Sequence, residues 1–146
     1  MCDYFSAPDD QAAAAVLRIP GGPGQAERDV VFLKNIDPVV AIARLEAVMT
    51  GCSYEEADAR PRSGQLPADP EDGPPFVVSL TDTLLDALAR ASRDDLVRCA
   101  EQWSTTDELR QIGIRVEATT GVLTALAGLA QRAQASDQRL YCWWAL

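Results

Sequence analysis

The chain ends in the octapeptide RLYCWWAL, residues 139–146, and this apolar run constrains the fold more than any other part of the sequence. Side chains in a β-strand alternate between two faces, so Tyr141 and Trp143 share one face and the even-numbered residues share the other. Neither set is polar, a pattern typical of a strand that is covered on both faces. The alternative leaves Tyr141 and Trp143 exposed as an aromatic platform for a partner or a ligand. In both cases the strand must pair within a sheet.

The rest of the chain predicts an α+β fold. Strands are expected at residues 2–6 and 29–34, and the run FVVSL at 76–80 is either a third strand or an apolar lead-in. Helices are expected near residues 9–18, 38–50, 82–91, 93–103 and 117–134, with a weaker helical piece in TTDELRQIG. We therefore expect a small sheet that includes the N-terminal and C-terminal strands and packs against several helices.

Two helix starts carry clear capping signals. Asp37 is suited to accept hydrogen bonds from the free N–H groups of the next helix, Pro38 takes the first helical position, and Gly51 closes the end. Ser92 is followed three residues later by Asp95, which is the spacing of a capping box. The helix that follows Asp37 is therefore the best defined in the sequence.

Length and proline content define the domain organisation. The chain has 146 residues, 47% of them hydrophobic, which fits a single domain over residues 1–146. Residues 59–75 contain many of the prolines and cannot continue a helix or a central strand. We expect an exposed loop there.

The charge of the chain limits its partners. The formal net charge is −9, and Lys34 is the single lysine among thirteen basic residues. Nucleic acid is excluded as a partner, because phosphate binding needs a concentrated basic face. An acidic surface suits a basic protein partner. No stretch approaches 18 apolar residues and the N-terminus does not resemble a signal peptide, so we expect no membrane span and a cytoplasmic location.

The sequence predicts neither a metal nor a cofactor. It contains no histidine, and its four cysteines are far apart, so the usual zinc and haem ligand sets cannot be assembled. We expect reduced cysteines that pack as small core residues. They are Cys2, Cys52, Cys99 and Cys142, of which the first and last lie on predicted strands that can bring them into contact.

Several segments resemble the bacterial YfbM-like domains. The run IDPVVAIARLEAVMTG is similar to a family helix that ends in Leu-Thr-Gly, with Met49 here in place of the leucine. Tyr4-Phe5 resemble an aromatic pair of the family's first strand, and LLDALARASRDDLVRCAEQW resembles its paired helices. The resemblance implies an α+β fold and no assigned activity. The proline-rich loop departs from it.

Glu46 and Asp3 are the candidate catalytic residues. Helical periodicity places Glu46 between Val39 and Ile42 on an apolar face, where a carboxylate is costly unless it is paired or protonated. It fits a general acid or base in an apolar recess, although the family has a histidine at the matching position. The alternative is an ion pair with an arginine such as Arg139 or Arg115. Asp3 joins Glu46 as an acid–base partner if the first and last strands pair.

The candidate binding residues are aromatic or lie at strand ends. Lys34 and Asn35 sit between a strand and a helix, where a helix N-terminus and a lysine can hold an anion, although a capped helix with a surface lysine is the simpler interpretation. The remaining candidates are Tyr4, Tyr141, Trp143 and Arg139.

Two classes of function fit these features. We expect a small cytoplasmic bacterial binding or interaction protein, accessory or immunity-like, whose partner is a protein or a small apolar molecule. The alternative is a cofactor-independent cyclase, isomerase or lyase of secondary metabolism that uses a carboxylate in an apolar pocket. A homodimer in which the terminal strand completes the partner's sheet is a further hypothesis.

Overall fold

The computed structural model describes residues 1–26, 28–69 and 73–146. In that part of the chain, four strands and seven α-helices form an α+β fold, which confirms the predicted class. The strands are β1 (Cys2–Ala7), β2 (Val30–Leu33), β3 (Phe76–Ser79) and β4 (Arg139–Trp144). The helices are α1 (Asp10–Ala14), α2 (Val40–Thr50), α3 (Tyr54–Asp58), α4 (Asp82–Arg90), α5 (Arg93–Ser104), α6 (Asp107–Ile112) and α7 (Val116–Ala135).

The four strands form one antiparallel sheet in the order β2-β1-β4-β3. The first and last strands are central and pair along their whole length, from Cys2 opposite Trp144 to Ala7 opposite Arg139. Because β4 also pairs with β3, both of its edges are used within its own sheet. Within one chain the terminal strand has no free edge for the sheet of a second copy, and the homodimer stays a prediction.

Each face of the sheet is covered by its own core. On the larger face, Tyr4, Leu140 and Cys142 contribute to a core shared with buried residues of α2, α4, α5 and α7. On the smaller face, Phe5 and Tyr141 contribute to a core with residues of α1 and of the 3₁₀ turn Ala15–Arg18. The prediction of a doubly covered terminal strand is confirmed, and the alternative of an open platform at Tyr141 is wrong.

Trp143 is half-buried beneath a glycine-containing turn. Gly22 has a φ of +86°, and a Cβ atom at that position would lie 2.9 Å from Cδ2 of the Trp143 indole. Only glycine allows this backbone conformation and this close approach together. The turn therefore lies directly on one face of the indole ring.

The predicted helix caps are present. Helix α2 begins at Val40, later than predicted, yet the Asp37 carboxylate accepts hydrogen bonds from the backbone N–H groups of Val39, Val40 and Ala41 at 3.0, 2.6 and 3.1 Å. Gly51 ends α2 in the left-handed conformation. A capping box at the start of α5 joins Ser92 and Asp95, as predicted.

The loop predicted over residues 59–75 is not exposed to solvent along its whole length. It follows α3, a helix that the sequence did not predict and that Ser53 caps. The Ser79 hydroxyl donates to the carbonyl of Arg62 at 2.6 Å, and the Ser79 N–H donates to the carbonyl of Gln65 at 2.8 Å. The first part of the loop is therefore docked on β3, while residues 70–72 lie outside the described residues.

Within residues 1–26, 28–69 and 73–146, no helix has both the length and the apolar character needed to cross a membrane.

Candidate functional site

Glu46 lies at the centre of a buried polar network. Its residue is 2% exposed, and its Oε2 accepts a hydrogen bond from Nη1 of Arg60 at 2.7 Å. The Thr81 hydroxyl donates to Oε1 and accepts from the backbone N–H of Leu84, at the start of α4. The same Arg60 Nη1 lies 3.2 Å from the Thr50 hydroxyl. This network ties α2 to α4 and to the segment after α3.

The environment of Glu46 differs from the predicted apolar recess. Its partner is Arg60, and neither Arg139 nor Arg115, because the segment after α3 folds back over α2. Hydrogen bonding to the Glu46 carboxylate raises the pKa of the Arg60 guanidinium, so the arginine stays charged. A carboxylate paired in this way stabilises the fold by linking segments of the chain, and it is poorly placed to exchange protons with a substrate.

Asp3 lies on the other face of the sheet. Strand alternation puts it on the side of Phe5, whereas Tyr4 joins the core beneath α2. The Asp3 residue is 2% exposed, and its Oδ1 has no hydrogen-bond partner among the described residues. Burial raises the pKa of the carboxyl, and the positive N-terminus partly opposes this shift. The sheet separates Asp3 from Glu46, so the two do not form an acid–base pair.

Trp143 lies directly opposite Asp3 in the register of β1 and β4. Its buried Nε1 also has no hydrogen-bond partner in the described part of the chain. An unpaired donor and an unpaired acceptor thus face the same small core beneath the Gly22 turn. Burying these two polar atoms without hydrogen-bond partners costs free energy, so they lower the stability of the folded protein.

Replacing Asp3 with asparagine is expected to stabilise the protein by about 1 kcal/mol at pH 7, because the buried charge is removed. Since the folded pKa is raised, the folded state holds this proton more tightly than the unfolded state, and wild-type stability falls as pH rises through the folded pKa. The advantage of Asp3→Asn should therefore disappear in acid. Urea unfolding at pH 7 and below pH 4 measures both effects. Equal stabilisation at the two pH values would contradict this account.

The buried tyrosines make structural hydrogen bonds. Tyr4 donates its hydroxyl to the carbonyl of Ile36 at 2.5 Å, and its residue is fully buried. Tyr141 is also fully buried, and its hydroxyl donates to Oδ1 of Asp10 at 2.7 Å. Neither phenol presents its ring to solvent, so neither serves as a contact surface in this fold.

A charged cluster at one end of β4 was not predicted. Oδ1 of Asp10 also accepts from Nη1 of Arg62 at 2.9 Å, and Arg62 lies over the Tyr141 ring at 5.4 Å. Asp82 lies 3.5 Å from Nε of Arg139 and 3.9 Å from Nε of Arg62. The proposed binding residue Arg139 therefore serves as one side of an ion pair. Arg62 adopts a φ of 75°, an uncommon conformation for a side-chain-bearing residue, which the cluster holds in place.

Lys34 and Asn35 are both exposed after β2. Asn35 lines a cleft of about 320 Å³ together with Asp37, Glu108, Gln111 and Ile112, but Lys34 does not. The Asp37 carboxylate already occupies the N-terminus of α2, and Glu108 adds a second negative charge. Two carboxylates in the lining disfavour an anion there, which agrees with the simpler interpretation of a capped helix beside a surface lysine.

An acidic face surrounds this cleft. Arg44 of α2 lies over the Tyr54 ring of α3 at 4.2 Å, and its Nε is 3.4 Å from Oε1 of Glu108 on α6. Burial raises the pKa of Tyr54, and the nearby charges of Asp58, Glu108 and Asp37 raise it further while Arg44 opposes them. We define the acidic face as Asp37, Arg44, Tyr54, Asp58 and Glu108. It brings α2, α3 and α6 together around one aromatic ring and one guanidinium.

A larger cleft of about 910 Å³ lies between the N-terminal helical segment and the proline-rich loop. Its walls include Ala14, Leu17, Pro67 and Pro74, so part of it suits a small apolar molecule. Neither Glu46 nor Asp3 lines this cleft or the acidic one. The geometry thus gives no route from these two clefts to the candidate carboxylates.

All four cysteines are free thiols. Cys2 and Cys142 are in contact on the larger face of the sheet, as expected, and this contact lowers the pKa of Cys2 while burial raises that of Cys142. Among the described residues, no group of three or more cysteine, aspartate or glutamate side chains is arranged to hold a metal ion.

Comparison of the chain with family models, with curated proteins and with solved structures finds no match. The resemblance to YfbM-like domains stays a prediction.

Proposed function

We propose that the protein acts by contact, binding a basic protein partner through the acidic face. The observation that carries this proposal is the Arg44–Tyr54 stack, which lies among the carboxylates of Asp37, Asp58 and Glu108. Tyrosine and arginine are the residue types that most often dominate binding energy at interfaces. Surrounding carboxylates favour encounter with a basic surface and disfavour acidic competitors.

The state of the two candidate catalytic carboxylates supports binding over catalysis. The Glu46 carboxylate is hydrogen-bonded to Arg60 and Thr81, and Asp3 is buried on the opposite face of the sheet. The net charge of −9 comes instead from carboxylates that are largely on the surface. An accessory or immunity-like role, in which a basic protein is neutralised by contact, is the form of binding that this charge favours. The free cysteines support a reducing compartment, such as the cytoplasm.

Removing charge from the acidic face is expected to weaken partner binding. The variant Glu55→Gln/Asp58→Asn removes two exposed carboxylates of α3, the second of which belongs to the face. We expect its affinity for the partner to fall by about tenfold at low salt, largely through slower association. The partner is captured on the wild-type protein from its native cells, identified, purified and then titrated by calorimetry.

The matched control, Asp94→Asn/Asp137→Asn, removes the same charge from α5 and from the turn that follows α7, outside the face. It should bind the purified partner as wild type does. Equal losses in both variants would show that net charge alone matters and would contradict the assignment of the face. Turnover of a substrate that is lost in Glu46→Gln would replace the binding proposal with the enzymatic alternative.

A further inference from the structure

A third cleft, of about 450 Å³, lies at the other end of β2 from the acidic face. Two arginines line it, Arg28 just before β2 and Arg132 near the end of α7, and among the described residues of its lining Asp29 is the single acidic one. Ser6, Ser136 and Gln138 add hydrogen-bonding groups. We call this site the arginine cleft. In a chain with a net charge of −9, the described residues of this lining carry more positive than negative charge.

Arg132 is held in place on two sides. Its Nε and Nη2 donate to the two carboxylate oxygens of Asp29 at 2.6 and 3.1 Å, a bidentate pair that raises the pKa of the guanidinium. Its Nη1 lies 3.1 Å from the place where a Cβ atom at Gly128 would stand, one turn earlier on α7. Glycine inside a helix is unfavourable, and here it gives the guanidinium room to lie back along the helix. The bidentate pair uses Nε and Nη2 and does not involve Nη1.

The end of α7 does not oppose an anion as strongly as an uncapped helix C-terminus would. The N–H of Ser136 donates to the carbonyls of Arg132 and Ala133, the N–H of Asp137 donates to Gln134, and the N–H of Gln138 donates to Ala133 at 2.8 Å. Since these carbonyls are satisfied, less of the negative end of the helix dipole faces the cleft.

The sheet supplies a polar group on the floor of the cleft. Ser6 is 3% exposed and lies on β1, in the middle of the sheet, where a small apolar residue would otherwise be expected. Arg28 lines the same cleft, and in the part of the chain that the structure describes it forms no ion pair. A hydroxyl on the floor and a guanidinium at the rim are donors that an oxyanion can accept together.

We infer that the arginine cleft binds the oxyanion group of a small ligand, a phosphate or a carboxylate, between Arg28 and Arg132 with Ser6 beneath it. The site is independent of the acidic face, so a ligand here and a protein partner there can be bound together. Either assignment can fail without the other.

Titration of the ¹⁵N-labelled protein with inorganic phosphate, and separately with acetate, tests this inference. We expect saturable shifts of the backbone amides of residues 6, 28 and 132–138 at millimolar ligand. Saturation by phosphate alone identifies a phosphate site, and saturation by acetate alone identifies a carboxylate site. Linear, unsaturated shifts with both ions would overturn the inference.

Two variants separate a built site from general charge. Arg28→Gln should weaken binding about tenfold, whereas Arg110→Gln, which removes the same charge from the exposed face of α6, should bind as wild type. Gly128→Ala should place a methyl group against Arg132 and weaken binding without lowering the thermal midpoint, because alanine favours the helix. Equal weakening by Arg28→Gln and Arg110→Gln, or unchanged binding in Gly128→Ala and Arg28→Gln together, would contradict the site.

Discussion

Replacing Arg60 with methionine is expected to lower the free energy of unfolding by about 3 kcal/mol. The change leaves the Glu46 carboxylate, whose residue is 2% exposed, without its charged partner, while the Thr81 hydroxyl remains its only other hydrogen-bond donor in the described residues. Removing one partner of a buried ion pair leaves the other charge buried and unpaired. The free energy that this costs exceeds the net contribution of the intact pair to stability. Urea unfolding of the purified variant at pH 7 measures the loss.

Arg44→Met is the matched control. It removes another arginine that pairs with a glutamate, Glu108, but the Arg44 side chain is 40% exposed against 21% for Arg60. We expect it to cost no more than about 1 kcal/mol, because water screens and replaces the lost contact. Equal losses of unfolding free energy in the two variants would show that the Glu46–Arg60 pair contributes no more than an exposed ion pair. The double variant Glu46→Met/Arg60→Met should be more stable than Arg60→Met alone, since it removes the stranded charge.

Local signals in the sequence were sufficient to place most elements. The apolar C-terminal run, the Asp37 cap and Gly51, and the capping box at Ser92 each act over a few residues, and each is present in the structure. Helix α3 was missed because YEEAD is short, is mostly acidic and precedes a proline-rich segment. Its only clear signal was Ser53 three residues before Glu56, the first half of a capping box.

Contacts between distant segments could not be read from the sequence. The burial of Glu46 followed from helical periodicity, but nothing local selects Arg60 among the twelve arginines as its partner. The choice depends on how the segment after α3 returns over α2, which is a property of the whole fold. The same reason explains why the sequence did not separate Asp3 from Glu46. The prediction that both terminal strands belong to one sheet is confirmed, but the face on which each residue lies depends on register, and a shift of one residue reverses it.

The candidate sites show the same division between local and distant information. The acidic face joins Arg44, Tyr54 and Glu108 from three helices, and one of those helices was not predicted. The arginine cleft joins β1, the residues before β2 and the end of α7. Gly128 is the one local signal for that cleft, because a glycine inside a long alanine-rich helix needs a reason, and Arg132 lies one turn beyond it.

Replacing Tyr141 with alanine is expected to lower the free energy of unfolding by about 4 kcal/mol. The ring is fully buried in the centre of the sheet and stacks on Phe5 with a centroid distance of 5.7 Å. Alanine would leave a cavity between the sheet and α1, and it would remove the hydrogen bond to Asp10. A loss below about 1 kcal/mol would mean that the ring is not a core group and would restore the exposed aromatic platform.

Tyr141→Phe separates the hydroxyl from the ring. It keeps the stacking on Phe5 and should cost only about 1 kcal/mol, because Arg62 still binds Asp10. Burial, with the Asp10 hydrogen bond, raises the pKa of Tyr141 to about 12 from a model-peptide value of 10.0, and Arg62 opposes this shift. The unfolded chain therefore loses this proton first, and wild-type stability should fall as pH rises from about 10 towards 12. Tyr141→Phe should lose less stability across that range in thermal unfolding, and parallel losses in the two proteins would contradict the buried position of the hydroxyl.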